Sequence, residues 1–190
     1  RGGSAGGAGG YLSGTSLAVK QGVPYTVTVG AGGASTISFT SIPSTYTDLL
    51  LLLSLRNDSA GAVGRTVNLT VNSNTSNYSY KMIESTGSTT YNGTGTNSSS
   101  YPAAVSVGPS ATSNIFSNSS VYITNYAGSK YKAFFSNDVM ENSSATAVYN
   151  HLTSGLWGNT SAISSISMVN DNGSNFVQYS TAYLYGIKNS

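Results

Sequence analysis

Reactive side chains limit what a protein can do chemically, and this chain has few of them. It carries one histidine, His151, no cysteine and six acids: Asp48, Asp58, Glu84, Asp138, Glu141 and Asp171. Nucleophilic catalysis needs a base beside the nucleophile. His151 lies inside the strand-like run Tyr149-Asn150-His151-Leu152-Thr153, and no Gly-x-Ser-x-Gly elbow occurs among the many serines. His151 therefore reads as a sheet-face histidine with a hydrogen-bonded ring rather than a catalytic base. The absence of cysteine rules out a disulfide framework and a thiolate metal site.

Glycoside hydrolysis commonly needs two carboxylates flanking one bond. Asp48 and Asp58 border a strand and a loop, and Asp171 sits in an Asp-Asn-Gly turn. Asp138 and Glu141, beside Asn137 and Asn142, have the oxygen chemistry of a calcium site. Their spacing matches no EF-hand loop, and the better reading is turn residues. Gly30-Ala31-Gly32-Gly33 follows a strand-like run, but Ser35 stands where a dinucleotide loop needs its third small residue, and no helix pattern follows. Asn-x-Ser/Thr triplets such as Asn68-Leu69-Thr70 arise by chance in so polar a chain and carry no glycosylation claim. The expectation is a protein without catalytic residues, metal or cofactor.

The aromatics are the remaining candidates for contact with a ligand. Trp157 could stack on a sugar, although a lone Trp beside a strand end is more often core. Tyr91 and Tyr101 fall in the Ser/Thr/Asn/Gly-rich stretch 85–101, read as a long exposed loop. Tyr offers rigid amphipathic contact area at low entropic cost, so these two are the stronger contact candidates.

What must position these residues is a β framework. Only 7% of the 190 residues are charged, against about a quarter in an average soluble protein. Ser, Thr and Asn supply roughly two residues in five instead. Short alternating runs of aliphatic and aromatic residues along the chain exclude disorder. The eight Lys and Arg are scattered, so no phosphate-tracking surface is expected and nucleic acid is not a partner. The longest apolar run, Leu49 to Leu53, is the length of a strand and not of a membrane span. No secretory signal pattern is seen, and a chain opening on Arg1 is expected to be a processed product or a piece of a longer one.

Residues 1–34 read as a glycine-rich anchor or linker followed by a short β-hairpin, Leu12–Val19 with Tyr25–Val29. Residues 35–190 hold about nine strand-like runs separated by Gly/Asn/Ser turns, with no helical period. The fold class is all-β: an antiparallel two-sheet sandwich, jelly-roll-like.

The stretch STISFTSIPSTYTDLLLLLSLRN (35–57) resembles the opening of a domain in virion structural proteins of tailed bacteriophages, notably phages of marine and cyanobacterial hosts. The pieces NYSY (77–80), KYKAFF (130–135), SGLWGNTSAISSISM (154–168) and FVQYSTAYLYGIK (176–188) follow in the order the resemblance requires. Residues 6–33 are similar to glycine-rich modules of phage tail fibres and adhesins. The resemblance implies a non-enzymatic role on the virion surface, as head decoration or fibre subunit, assembled in the host cytoplasm. It implies other capsid or tail proteins as partners and a homo-oligomer, a trimer by analogy. A tail-fibre adhesin recognising a host-surface glycan is the alternative. Few charges suit a particle exposed to variable salt, because there is little to screen.

Overall fold

Apolar residues spaced two apart build strands because alternate side chains of a strand point to opposite faces. The computed structural model describes residues 17–18, 25–87, 89–142 and 149–188. Among them are thirteen strands: β1 (Leu17–Ala18), β2 (Tyr25–Thr28), β3 (Ile37–Thr40), β4 (Asp48–Ser54), β5 (Gly64–Val71), β6 (Tyr78–Thr86), β7 (Thr89–Ser98), β8 (Tyr101–Val107), β9 (Asn118–Ile123), β10 (Lys132–Met140), β11 (Tyr149–Trp157), β12 (Ile166–Asn170) and β13 (Thr181–Ile187).

They form two sheets. The larger is antiparallel, in the order β2-β13-β4-β9-β10-β11-β6-β7. The smaller runs β1-β3-β12-β5-β8 and is antiparallel apart from the two-residue β1–β3 pair. Numbering the strands from β3, the smaller sheet holds the first, last, third and sixth members of an eight-strand jelly roll. The larger holds the second, seventh, fourth and fifth, with the seventh expanded into the meander β9-β10-β11. Strands β13 and β2 extend it outside β4. The expected jelly-roll-like sandwich is the observed one.

The core lies between the sheets. Leu49, Leu51 and Leu53 of β4 and Val121 and Ile123 of β9 meet Ile37 and Phe39 of β3, Val67, Leu69 and Val71 of β5, and Ile166 and Met168 of β12. One cation is buried here too. Lys132 donates from Nζ to the carbonyls of Gly128, Lys130 and Thr160, which offset the loss of water around its charge, and burial lowers its pKa.

Two expectations need correction. The expected hairpin is not seen among the described residues: Leu17–Ala18 of β1 lies beside β3, β2 lies beside β13, and the two belong to different sheets, while 12–16 and 19–24 lie outside the described residues. Burial explains the choice for β2, since Val27 and Val29 reach the core only from the edge of the larger sheet, whereas an isolated hairpin is marginal in water. The glycine-rich residues 1–10 lie outside the described residues. Second, 85–101 is not a long loop. It contains the end of β6 and all of β7, a strand without an apolar face that exists through its pairing with β6.

Candidate functional site

Strand register brings together side chains from five segments of the chain. Ser119 of β9 pairs with Asp138 of β10, Asp138 with His151 of β11, His151 with Glu84 of β6, and Glu84 with Tyr91 of β7. Residues directly opposite in antiparallel strands share a face. The result is a polar row on the inward face of the larger sheet.

His151 stands between two carboxylates. Its Nε2 is 3.3 Å from Glu84 Oε1 and its Nδ1 is 4.0 Å from Asp138 Oδ2. Asp138 is 2% exposed and His151 5%, while the Glu84 side chain is 28% exposed at the mouth of the row. Burial pushes the Asp138 carboxyl up to about 8, opposed by a hydrogen bond from the His151 backbone and assisted by the charge of Glu84. Burial lowers the His151 pKa, against the charge and hydrogen bond of Glu84. Both shifts favour the neutral forms, a protonated Asp138 and an uncharged His151 ring whose Nε2 faces Glu84 Oε1. Asp138 Oδ1 and Ser119 Oγ are buried without a hydrogen-bond partner.

The row continues into the layer beneath β8. Tyr101 is buried completely; its hydroxyl donates to the Thr153 carbonyl (2.8 Å) and lies 3.1 Å from Ser136 Oγ. Burial raises its pKa to about 12. At the open end, Glu84 and His151 line a cleft of about 60 Å3 with Arg65, Thr66 and Tyr149. Arg65 is held from behind, its Nε donating to Ser59 Oγ at 3.1 Å, and Ser59 Oγ also accepts from Asn172 Nδ2 at 2.9 Å. Gly64 lets β5 pass this close, since a Cβ there would lie 2.5 Å from the end of Met140.

The chemistry of this arrangement is restricted. Ser119, the buried hydroxyl in the row, is two strands from His151, roughly 10 Å at the usual strand spacing, so no nucleophile touches the imidazole from that side. Only one carboxylate, Glu84, faces the cleft; Asp138 lies behind the imidazole. Two of the other acids are engaged away from the cleft. Asp58 accepts from Asn175 N (2.8 Å) and Nδ2 (3.0 Å), and Asp48 from Tyr122 Oη and Asn125 N, both at 2.7 Å. Among the described residues no group of three or more His, Asp or Glu is arranged to hold a metal ion.

The three aromatic candidates separate. Tyr91 is 53% exposed beside Glu84. Tyr101 is a correction: it opens β8 and is core, because that strand lies under the edge of the sandwich with every residue buried. Trp157 is also core, stacked on Tyr78 with ring centroids 6.4 Å apart and Nε1 donating to Asn74 Oδ1 at 3.3 Å, so it offers no sugar platform. Asp138 is a second correction: it belongs to the middle of β10 and not to a turn. The partnership of Asp138 with His151 escaped the sequence reading, although one signal was present. A hairpin closing between 140 and 149 places 138 opposite 151. The exposed Tyr131 and Tyr179 were also missed. No family model matches the chain, and no curated protein or solved structure matches it significantly.

Proposed function

We propose that the chain is a non-enzymatic structural subunit of a bacteriophage particle, displayed on the virion surface as head decoration or as part of a fibre. The observation that carries this reading is the outer face of the larger sheet. Leu52, Ile83, Phe135, Val139, Leu152 and Leu156 are all exposed on it, with the half-buried Tyr122, Tyr183 and Tyr185 between them. Its charged residues on the strands are Lys81 and Asp48, and Asp48 is covered by the Tyr122 hydroxyl. From β13 to β6 this face spans six strands, roughly 800 Å2 at ordinary strand spacing. That is the area one partner contributes to a stable interface, and charge depletion with Tyr and Phe enrichment is the composition of an interface core. Polar Ser120, Asn137, Asn150 and Ser154 lie among these apolar residues, as in interfaces that are only partly apolar. The face suits symmetric packing of copies of the chain against one another. The ordered set of segments quoted above supplies the virion part of the reading.

The test is to locate the chain. Mass spectrometry of purified particles, followed by antibody labelling of heads and tails, is expected to find it in stoichiometric amount on one of them. Its absence from particles, together with a monomer at high concentration, sinks the proposal. Replacing both Phe135 and Leu152 by Lys is expected to dissociate the oligomer without unfolding it.

A second reading, an adhesin for host-surface glycans, is favoured by one observation: Tyr91 stands exposed directly opposite Glu84.

A further inference from the structure

The two sheets do not end together. The smaller sheet stops at β8, whereas the larger continues through β6 to β7, which packs chiefly on β6. Past the buried Tyr78, the inward face of β6 and β7 is therefore a partly open shelf beside the cleft. Gly93 and Gly95 make it flat. A Cβ at Gly93 would lie 2.8 Å from the Met82 side chain, and one at Gly95 would lie 2.2 Å from the ring of Tyr80. Without Cβ atoms there, Met82 and Tyr80 lie down across β7. Tyr91 continues this surface beside Glu84, the solvent-exposed end of the polar row.

We propose that this shelf and the adjoining cleft form a saccharide-binding subsite. A neutral pyranose ring lies against Tyr91, while its hydroxyls donate to the Glu84 carboxylate. The proposal deepens the adhesin reading and rests on it. Three features select this ligand class. A pyranose has one apolar face and a rim of hydroxyls, and the shelf meets it with an exposed aromatic and a carboxylate acceptor side by side. The acceptor is already oriented, since His151 Nε2 holds Glu84 Oε1 at 3.3 Å and His151 is itself packed in the core. An anionic ligand would meet the Glu84 charge, and a wholly apolar one would strip water from that carboxylate without replacing its hydrogen bonds. The cleft volume of about 60 Å3 is enough for the hydroxyls along one sugar edge. Binding without hydrolysis is the outcome, because the second carboxylate of the row is screened by the imidazole and cannot flank the same bond.

The experiment applies the full chain to a glycan array and records saturation-transfer NMR with methyl glycosides of neutral hexoses and N-acetylhexosamines at millimolar concentration. It is repeated with Tyr91→Ala, with Glu84→Gln, and with Tyr131→Ala as a control at an exposed tyrosine elsewhere. Expected are binding by the native chain, a loss of about tenfold or more in affinity for each of the first two variants, and no change in the third. Thermal melting checks that all three remain folded. Glycan binding that survives both Tyr91→Ala and Glu84→Gln overturns this subsite and leaves the adhesin reading standing. No binding to the array or the glycosides overturns both, and neither result bears on particle location.

Discussion

The two halves of the sandwich interior are built on opposite principles. Under β13, β4 and β9, the larger sheet turns Ala182, Leu184, Leu49, Leu51, Leu53, Val121 and Ile123 inward. Under β10 and β11 the same inward positions hold Ser136, Asp138, His151 and Thr153, with Ser119 at the border. Beyond them a small apolar cluster of Val105, Val107, Ala111 and Met140 closes the end. The apolar half is non-directional and tolerant, and its stability scales with the area removed from water. The polar half is directional. Its groups are satisfied one bond at a time, and two of them, Asp138 Oδ1 and Ser119 Oγ, are not satisfied at all. An interior that keeps such groups is spending stability on something other than folding, and the one charged member that reaches solvent is Glu84.

The largest expected effect lies at the boundary of the apolar half. Trp157→Ala removes the ring stacked on Tyr78 and is expected to cost about 3–5 kcal/mol, measured by urea unfolding. A cost near zero would mean that the stacked pair contributes nothing to the core.

The polar half is expected to answer to pH where the apolar half does not. The folded-state pKa of Asp138 is raised to about 8 from 3.8, so the folded chain holds a proton that the unfolded chain releases. The stability from this group is complete below pH 4 and is lost as pH rises to 8. Relative to the native chain, Asp138→Asn is expected to gain stability progressively between those limits, with denaturant midpoints recorded across the range. The His151 pKa is lowered instead, so its contribution is present above 6.5 and is lost as pH falls. Replacing His151 by Gln is expected to shift the pH of maximum stability downward, whereas Asp138→Asn shifts it upward. Parallel profiles for all three proteins would remove the row as a titrating unit.

A smaller effect is expected at Tyr101. Tyr101→Phe keeps the ring packed on Phe134, with centroids 5.1 Å apart, but leaves the Thr153 carbonyl without this donor, at a cost of about 1–2 kcal/mol. The smallest belongs to the shelf. Tyr91→Ala is expected to change stability by no more than about 0.5 kcal/mol, which a thermal melt can check, because the side chain is exposed.

Much of the framework was legible in the chain. Val67, Leu69 and Val71 alternate with Asn68 and Thr70, and they are the inward and outward faces of β5. The continuous leucines of β4 concealed a face: Leu51 is buried and Leu52 exposed, a distinction that only the neighbouring strands could impose. β7 was invisible because its pattern TTYNGTGTNS has no apolar period, and pairing rather than burial makes it a strand. The site was less legible than the fold. Alternation signals an inward face only when that face is apolar, and at Ser136, Asp138, His151 and Thr153 it is not.

The composition and period-two runs of the sequence alone determined an all-β sandwich with few ionisable groups, since side-chain alternation is a property of the extended backbone. Tertiary structure decided which of those groups meet. Glu84, Asp138 and His151 come from three strands, and only the shared register of β10, β11 and β6 sets them in one row. The same packing buried Tyr101 and Trp157 and left Tyr91 on the partly open shelf, because the smaller sheet ends at β8 while the larger one runs two strands further.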